Sequence, residues 1–422
     1  MKILRQNITS GFLVSFIALP LCLAISTASG FPIISGIITA IVGGILVSQL
    51  SGSNLTINGP AAGMIVVILD SVERLGGDNL INGYKLTLGA IIIASILQII
   101  TSFTKAPEMM KKFPESVIRG MMVAIGSIVI LKQVFTVFGY KIPHDSMIKL
   151  ITDIFDAFLG MQLETFAIGI FTIIFIVSWN KIIKKGPLSR LPVYLLAIIL
   201  GSAIAYILKI SHNQHFLIEE YAVKPSSLFV NLPKSIKDSF AMPIFDKEIS
   251  INFLISTFTI FAVGSIETIL SAIAVDKLDP QKRNSNLKKD LRAIGIGNLI
   301  CGSIGALPMI AEVVRSSANI KYGATNKWSN FSHGIFLLLF ITIFSNIIAF
   351  IPLCVLASML ILIGWNLINI KLIRDMYHEW KPSLIVIIAV AFFTIYIDLL
   401  VGILAGLSIY YVIKKCKKHS NS

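Results

Sequence analysis

Gly52-Ser53-Asn54-Leu55-Thr56-Ile57-Asn58-Gly59-Pro60-Ala61-Ala62-Gly63 interrupts an otherwise apolar stretch, and it has a counterpart. Gly302-Ser303-Ile304-Gly305-Ala306-Leu307-Pro308-Met309-Ile310-Ala311-Glu312 repeats the same order of features: an irregular Gly-rich approach, then Pro, then a helix-forming run. Pro suits the first turn of a helix, where its missing N–H costs nothing. Two short helices are therefore expected to start at Pro60 and Pro308, 248 residues apart. A pair of Pro/Gly-broken hydrophobic segments in matching places of two halves is the best sequence pointer to a transport site. One such break alone reads as tight helix packing; two in register do not.

The surroundings of the two breaks are those of a membrane protein. Of 422 residues, 55% are hydrophobic and only 14% charged, against about 25% charged in soluble domains. Mean hydropathy is +0.84. Soluble, disordered and collagen-like readings are excluded by this composition. The net charge of +14 would point to nucleic acid on a soluble protein; here basic loops on the cytoplasmic side account for it, and no nucleic-acid partner is expected. Cys22, Cys301, Cys354 and Cys416 are far apart and without metal-ligand spacing, so they are expected to be reduced and structural. The first apolar stretch lacks a cleavage site and runs into a second span, so it is not a removed signal.

Apolar runs bounded by charges place spans near 12–29, 32–50, 57–73, 86–103, 116–138, 163–180 and 191–210, then near 250–275, 293–306, 308–320, 331–350, 352–369, 383–398 and 399–413. The reading is an all-α polytopic membrane protein with 14 transmembrane segments in two seven-span repeats. The first repeat covers 1–210, an extracytoplasmic loop 211–249, the second repeat 250–413, and a basic cytoplasmic tail 414–422 closes the chain. With a cytoplasmic N-terminus, 24 of the 36 Lys and Arg fall on the inner side, nine outside and three within spans. That bias supports the orientation, an even number of crossings and cytoplasmic termini at a plasma (inner) membrane. Seven is odd, so the second repeat is inverted relative to the first. The two broken helices, each third in its half, would then meet near the midplane with their N-termini facing. Free N–H groups and helix dipoles there favour an anion.

Charges inside spans are costly and mark function by default. Glu267 lies well inside Ile260–Ser271, with Gly264 and Ser271 on the same helical face. A carboxylate beside hydroxyl and carbonyl groups can hold Na⁺, and a desolvated one can carry a proton; the alternative is a structural acid paired with a base. Arg315 offers a permanent cation in the second short helix, either to the anion or to Glu312 three residues earlier. Arg119 and Lys132 are expected to snorkel from opposite ends of one span. Asp70, near a span end, and Asp398, at a turn between spans, are expected to be wet. His212 and His215 have i, i+3 spacing in the outer loop but no further ligand, so no metal is expected there. Gly43-Gly44 and Gly295-x-Gly297 read as close-packing glycines. No HExxH, Walker A or GxSxG motif is present, and enzymatic chemistry has no support.

Several further stretches resemble the SulP (sulfate permease) family of inorganic anion transporters. Ala18-Leu19-Pro20…Ala24, Ser29-Gly30-Phe31-Pro32 and Ala40-Ile41-Val42-Gly43-Gly44 look like its opening signature. Gly52-Ser53…Asn58-Gly59-Pro60-Ala61-Ala62 resembles its third span, and Gly264–Asp276 its eighth. Asn284-Ser285-Asn286, Gly295-Ile296-Gly297-Asn298 and Ala306-Leu307-Pro308…Val314-Arg315-Ser316-Ser317-Ala318-Asn319 follow in order, so the similarity covers roughly residues 5–413. The resemblance implies two inverted seven-span repeats, the architecture shared with uracil permeases. It implies a core domain (spans 1–4 and 8–11) moving against a gate domain (spans 5–7 and 12–14), the anion between spans three and ten, and a homodimer. It implies Na⁺ binding at the Glu267 and Ser271 positions, as in sodium–bicarbonate members. The chain departs from the family in stopping at Ser422 without the usual STAS domain. Ala61 stands where many members have Thr, Leu21 where many sulfate carriers have a polar residue, and Glu312 where relatives have a small residue.

These readings converge on a secondary active transporter of a small inorganic oxyanion, bicarbonate or sulfate, coupled to Na⁺ or H⁺, with no other cofactor. Backbone N–H groups at Ala61, Ala62 and Gly63 and at Met309, Ile310 and Ala311, with Arg315, are expected to bind the anion. Glu267, Ser271 and Glu312 are expected to couple the cation, Na⁺ at Glu267 being the one metal considered. A nucleobase proton symporter of the same fold, using Glu267 and Glu312, and a passive anion channel are the alternatives.

Overall fold

The computed structural model of the chain describes residues 2–140, 147–183, 186, 191–210, 228–230, 240–246 and 250–420. Helix α1 (Lys2–Ala28) leads to α2 (Ser35–Val42), which passes through a π-helical turn at Gly43–Val47 into α3 (Ser48–Leu50). Strand β1 (Ile57–Gly59) and a 3-10 turn (Ala62–Met64) precede α4 (Ile65–Gly76), α5 (Leu80–Ser102) and α6 (Ala106–Met110). Then come α7 (Glu115–Val137), α8 (Met147–Leu159), α9 (Leu163–Ile182) and α10 (Val193–Ile207). The later part holds α11 (Ile251–Leu278), α12 (Leu287–Ile304), strand β2 (Ile310–Glu312), α13 (Val313–Lys321) and α14 (Trp328–Ile343). It ends with α15 (Ser345–Ile348), α16 (Leu353–Ile368), α17 (Ile370–Glu379), α18 (Ser383–Tyr396) and α19 (Leu399–Ser420).

Every expected apolar segment carries a helix. Among the described residues, seven helices are long and apolar enough to cross a membrane, including Ile3–Ala28, Glu115–Val137 and Ile251–Leu278; Ser35–Leu50, Val193–Ile207, Trp328–Ile343 and Ser383–Tyr396 are shorter apolar helices. Their outer faces expose Ile96, Ile174, Ile199, Ile385 and Ile388, which suits lipid rather than water. Polar side chains set the helix starts: Asn79 accepts from Asn82 N–H (3.0 Å), Ser250 from Phe253 N–H (3.3 Å) and Asn286 from Lys289 N–H (3.0 Å). The short helices α8 and α17 were not expected. The loop expected at 211–249, with His212 and His215, lies outside the described residues except for 228–230 and 240–246. Those two pieces dock by backbone bonds, Val230 N–H to Ile351 C=O (3.0 Å) and Ile244 N–H to Lys85 C=O (3.0 Å).

Packing sorts the helices into two groups. In one, α5 lies on α12, α4 and α11, and α1 lies on α14, α2 and α13. Gly44 and Gly334 meet backbone to backbone where the π-helical turn crosses α14, closer than any Cβ would permit. In the other, α7 lies on α16, α18 and α19, and α9 on α10 and α16. The groups touch through α1 on α10 and α16, and α4 on α7. This is the core-and-gate division expected of the fold.

The breaks differ from their expected form. Neither Pro begins a helix. Each break is an extended segment, and β1 and β2 pair antiparallel with Ile57 opposite Glu312, Asn58 opposite Ala311 and Gly59 opposite Ile310. Pro60 ends the first strand and Pro308 precedes the second; the helical turns start only at Ala62 and Val313. Pro has no N–H to give a ladder, so it stands at a strand's end.

Candidate functional site

Extended backbone in a bilayer needs partners for each N–H and C=O. Here side chains of neighbouring helices supply many of them. Asn319 Nδ2 donates to Leu55 C=O (3.2 Å), Asn330 Nδ2 to Thr56 C=O (3.0 Å) and Ser316 Oγ accepts from Ile57 N–H (2.8 Å). Thr39 Oγ1 donates to Leu307 C=O (2.7 Å). Asn298 clamps Met309 from both sides: its Oδ1 accepts from Met309 N–H (2.6 Å) and its Nδ2 donates to Met309 C=O (3.2 Å) and to Gln98 Oε1 (3.0 Å). The sequence reading gave Asn298 and Gln98 no role; their signal is that both are amides inside apolar helices, buried to 4% and 2% exposure. Replacing Asn298 with Leu leaves two buried backbone groups orphaned, at about 1–3 kcal/mol each. The expected outcome is a clearly lower unfolding temperature in detergent; an unchanged transition would remove the clamp from the account.

Because the strands run antiparallel, the helical turns leave the ladder at opposite ends, with their N-termini directed toward it. A three-residue ladder is about 10 Å long, so the two N-termini flank a short, dry crossing. Ala61 is the N-cap of the first turn in extended conformation, and Ala62 and Gly63 are its first residues. Of the expected donors in the second break, Met309 N–H is taken by Asn298, and Ile310 and Ala311 lie in the ladder. In an antiparallel ladder only alternate residues give their N–H to the partner strand, so one of Ile310 and Ala311 turns its N–H away from it. Arg315 N–H is already bound to Glu312 Oε2 at 2.6 Å.

Glu312 is thus the N-cap of α13, and it also faces Arg315 Nε at 3.5 Å. The intrahelical pair, one of the two roles weighed for Arg315, is formed. Arg315 is the largest fully buried side chain, at 0% exposure. Its Nη2 donates to Pro60 C=O of the opposite break, and its Nη1 reaches Cys22 Sγ at 3.5 Å. The guanidinium bridges the two breaks.

Glu267 sits on α11, which packs against α4, β2 and α13. It is 3% exposed, and its Oε1 has no hydrogen-bond partner. A Cβ built on Gly63 would overlap both carboxylate oxygens, so the carboxylate lies directly over the first turn leading into α4. Gly264, one turn earlier, faces Gln98 and Met64, and Ser271, one turn later, is also buried. The site brings together Ala61–Gly63, Glu267, Glu312 and Arg315. A cavity of about 390 Å³ reaches the second helix start from the side of the basic loops, between α1 and α13 and α9 and α10, lined by Trp179, Tyr194, Val314 and Lys321.

Two ionisable residues depart from their expected settings. Lys132 is 8% exposed and paired with Glu73 at 3.3 Å. Asp398 is engaged on both oxygens: its side chain is 14% exposed, its Oδ2 lies 3.5 Å from Arg74 and its Oδ1 accepts from Val401 N–H (2.8 Å). Arg119 donates to Leu367 C=O (3.4 Å). Cys22, Cys301 and Cys354 are free thiols in the interior.

A model of the sulfate permease family matches residues 4–391. The putative sulfate transporter YvdB of Bacillus subtilis is 25% identical over 97% of this chain and 73% of its own length. The bicarbonate transporter BicA of Picosynechococcus is 23% identical over 97% of this chain and 70% of its own. Among solved structures, the transmembrane domain of a cyanobacterial BicA superposes with a TM-score of 0.78 at 22% identity, over 96% of this chain and 98% of that one. SLC26A9 superposes at 0.81 and 12% identity, over 98% of this chain and 65% of that one.

Proposed function

The chain belongs to the sulfate permease family, and on that premise we propose that it is a secondary active transporter of a small inorganic oxyanion coupled to Na⁺ or H⁺. It is a membrane-embedded transporter and not an enzyme. The observation that carries the coupling is the seat of the Glu267 carboxylate on the Gly63 turn. That turn is where N–H groups and the α4 dipole favour negative charge. An anion arriving there meets a carboxylate already in place. Only a proton or Na⁺ at Glu267, the latter with Ser271 supplying a further oxygen, offsets that repulsion. Cation and anion then assist each other's binding by the same factor. The fixed charges are two carboxylates, Glu267 and Glu312, against one guanidinium, Arg315. A monoanion meets less net repulsion in this setting than a dianion, which supports bicarbonate over sulfate; relatives carry either name. The loaded core group would move against the gate group, exchanging the cavity at α9 and α10 for one on the opposite face. A homodimer in the plasma (inner) membrane with both termini cytoplasmic completes the proposal.

A nucleobase symporter would use acids in both α11 and α13, but Glu312 is committed to capping α13 and to Arg315, so that alternative lacks its second acid. The test is radiolabelled bicarbonate and sulfate uptake into proteoliposomes under imposed Na⁺ or pH gradients, with wild type beside Glu267→Gln. Wild-type uptake should follow one gradient, and the variant should lose that dependence. No uptake of either anion by folded protein would end the oxyanion reading. Uptake indifferent to both gradients would make it a passive channel.

A further inference from the structure

Away from the anion site, α4 carries Asp70, Glu73 and Arg74 along its last turns, at the end opposite the basic loops. Arg74 pairs with Asp70 on its own helix at 3.0 Å. It also reaches across the group boundary to Asp398 at 3.5 Å, at the start of α19. Glu73 reaches across the same boundary to Lys132 of α7 at 3.3 Å. The four partners of these crossing pairs are largely withdrawn from solvent, with side-chain exposures from 10 to 29%. They surround a cavity of about 280 Å³ between α4, α7 and α18, lined also by Thr259 and Thr394. The Thr394 hydroxyl is buried with no partner. At the other end of the same boundary lies the cavity lined by Tyr194 and Val314. One end is cross-linked by charge; at the other no ion pair crosses the boundary among the described residues.

We propose that Arg74–Asp398 and Lys132–Glu73 form a latch that holds this end shut while the basic-loop end is open, and that both pairs break each time the transporter turns over. The arrangement is specific to the boundary. Both pairs run from the core group to the gate group, and they tie one helix of the core to two different elements of the gate. Moving α4 relative to α7 and α19 separates both at once. Asp398 also caps α19 through its other oxygen. The latch therefore fixes the cap of α19 against α4. Breaking either pair removes stabilisation from one state only, so populations shift toward the state open at this end.

The inference rests on the alternating-access reading, but its test needs no substrate. In a Cys416→Ser background the remaining native thiols are buried. Ile128→Cys places a probe in the latched cavity, and Ala318→Cys one in the open cavity. Labelling by a membrane-impermeant maleimide, applied to each face of proteoliposomes, reads the two ends separately. Asp398→Asn keeps the helix cap, since Asn caps as well as Asp, and removes the charge; Lys132→Met removes the other pair. Each should speed labelling at position 128, on the order of ten-fold, and slow it at position 318, as a shift between two states requires. The reversed pair Glu73→Lys with Lys132→Glu should return both rates toward wild type. Unchanged labelling at 128 would overturn the latch. Faster labelling at both positions would overturn it too, because that is general loosening and not a change of state.

Discussion

Arg315→Met is expected to abolish transport and to lower stability by about 3–5 kcal/mol, the usual effect of removing one partner of a buried ion pair. Arg315 is fully buried and holds three elements: Glu312 at the start of α13, Pro60 at the end of β1 and Cys22 of α1. Without it the Glu312 carboxylate keeps only one N–H partner, and the Pro60 carbonyl loses its donor. The two breaks then lack the side chain that spans them. Arg315→Lys should recover little, because an ammonium is a single point of charge and cannot serve Glu312 and Pro60 together in the planar geometry that a guanidinium provides. Arg315→Met combined with Glu312→Gln should regain part of the stability by removing the stranded charge, while transport stays lost. Thermal unfolding in detergent and uptake in proteoliposomes separate these effects. If the double variant were no more stable than the single, the ion pair would not be what Arg315 contributes.

The sequence made the helices legible because lipid demands long apolar runs, and such runs can be counted. It made the two breaks legible as well, since Gly and Pro in matching places of two halves are local features. What happens inside the breaks was not legible. Three-residue strands carry no periodicity, and Ile57–Gly59 meets its partner more than 250 residues away. The helix starts expected at Pro60 and Pro308 therefore lie ahead of the observed ones at Ala62 and Val313, and the Met309 N–H expected as a donor to the anion serves Asn298 instead. Asn298 and Gln98 were passed over for the same reason: an amide in an apolar helix does not say which backbone group it serves. Lys132 looked like a residue reaching for water because the sequence does not show Glu73 beside it. Residue types and their depth could be read, Glu267 and Arg315 above all; pairings between distant segments could not. The amphipathic α8 and α17 escape a reading by apolar runs because they are too short and too polar for a span.

Gly63→Ala is expected to cost little stability and to remove cation coupling. Gly63 has ordinary backbone angles that alanine adopts freely, and in a helical turn alanine is favoured over glycine by about 1 kcal/mol. The obstacle is the Glu267 carboxylate, which occupies the space a Cβ needs. It is the end of a side chain and not backbone, so it can turn aside. Glu267 would then leave the start of the Ala62–Met64 turn, and the competition between its charge and the anion would end. The variant should therefore behave like Glu267→Gln: uptake at least about ten-fold weaker under the driving gradient, and insensitive to which cation is supplied. Its unfolding temperature should stay near that of wild type, which distinguishes it from Arg315→Met and Asn298→Leu. Wild-type gradient dependence in Gly63→Ala would show that the carboxylate need not rest on this turn, and the coupling account built on that contact would fall. A matching loss in both variants, with the fold intact, would tie the acid on α11 to the start of α4 as a single functional unit.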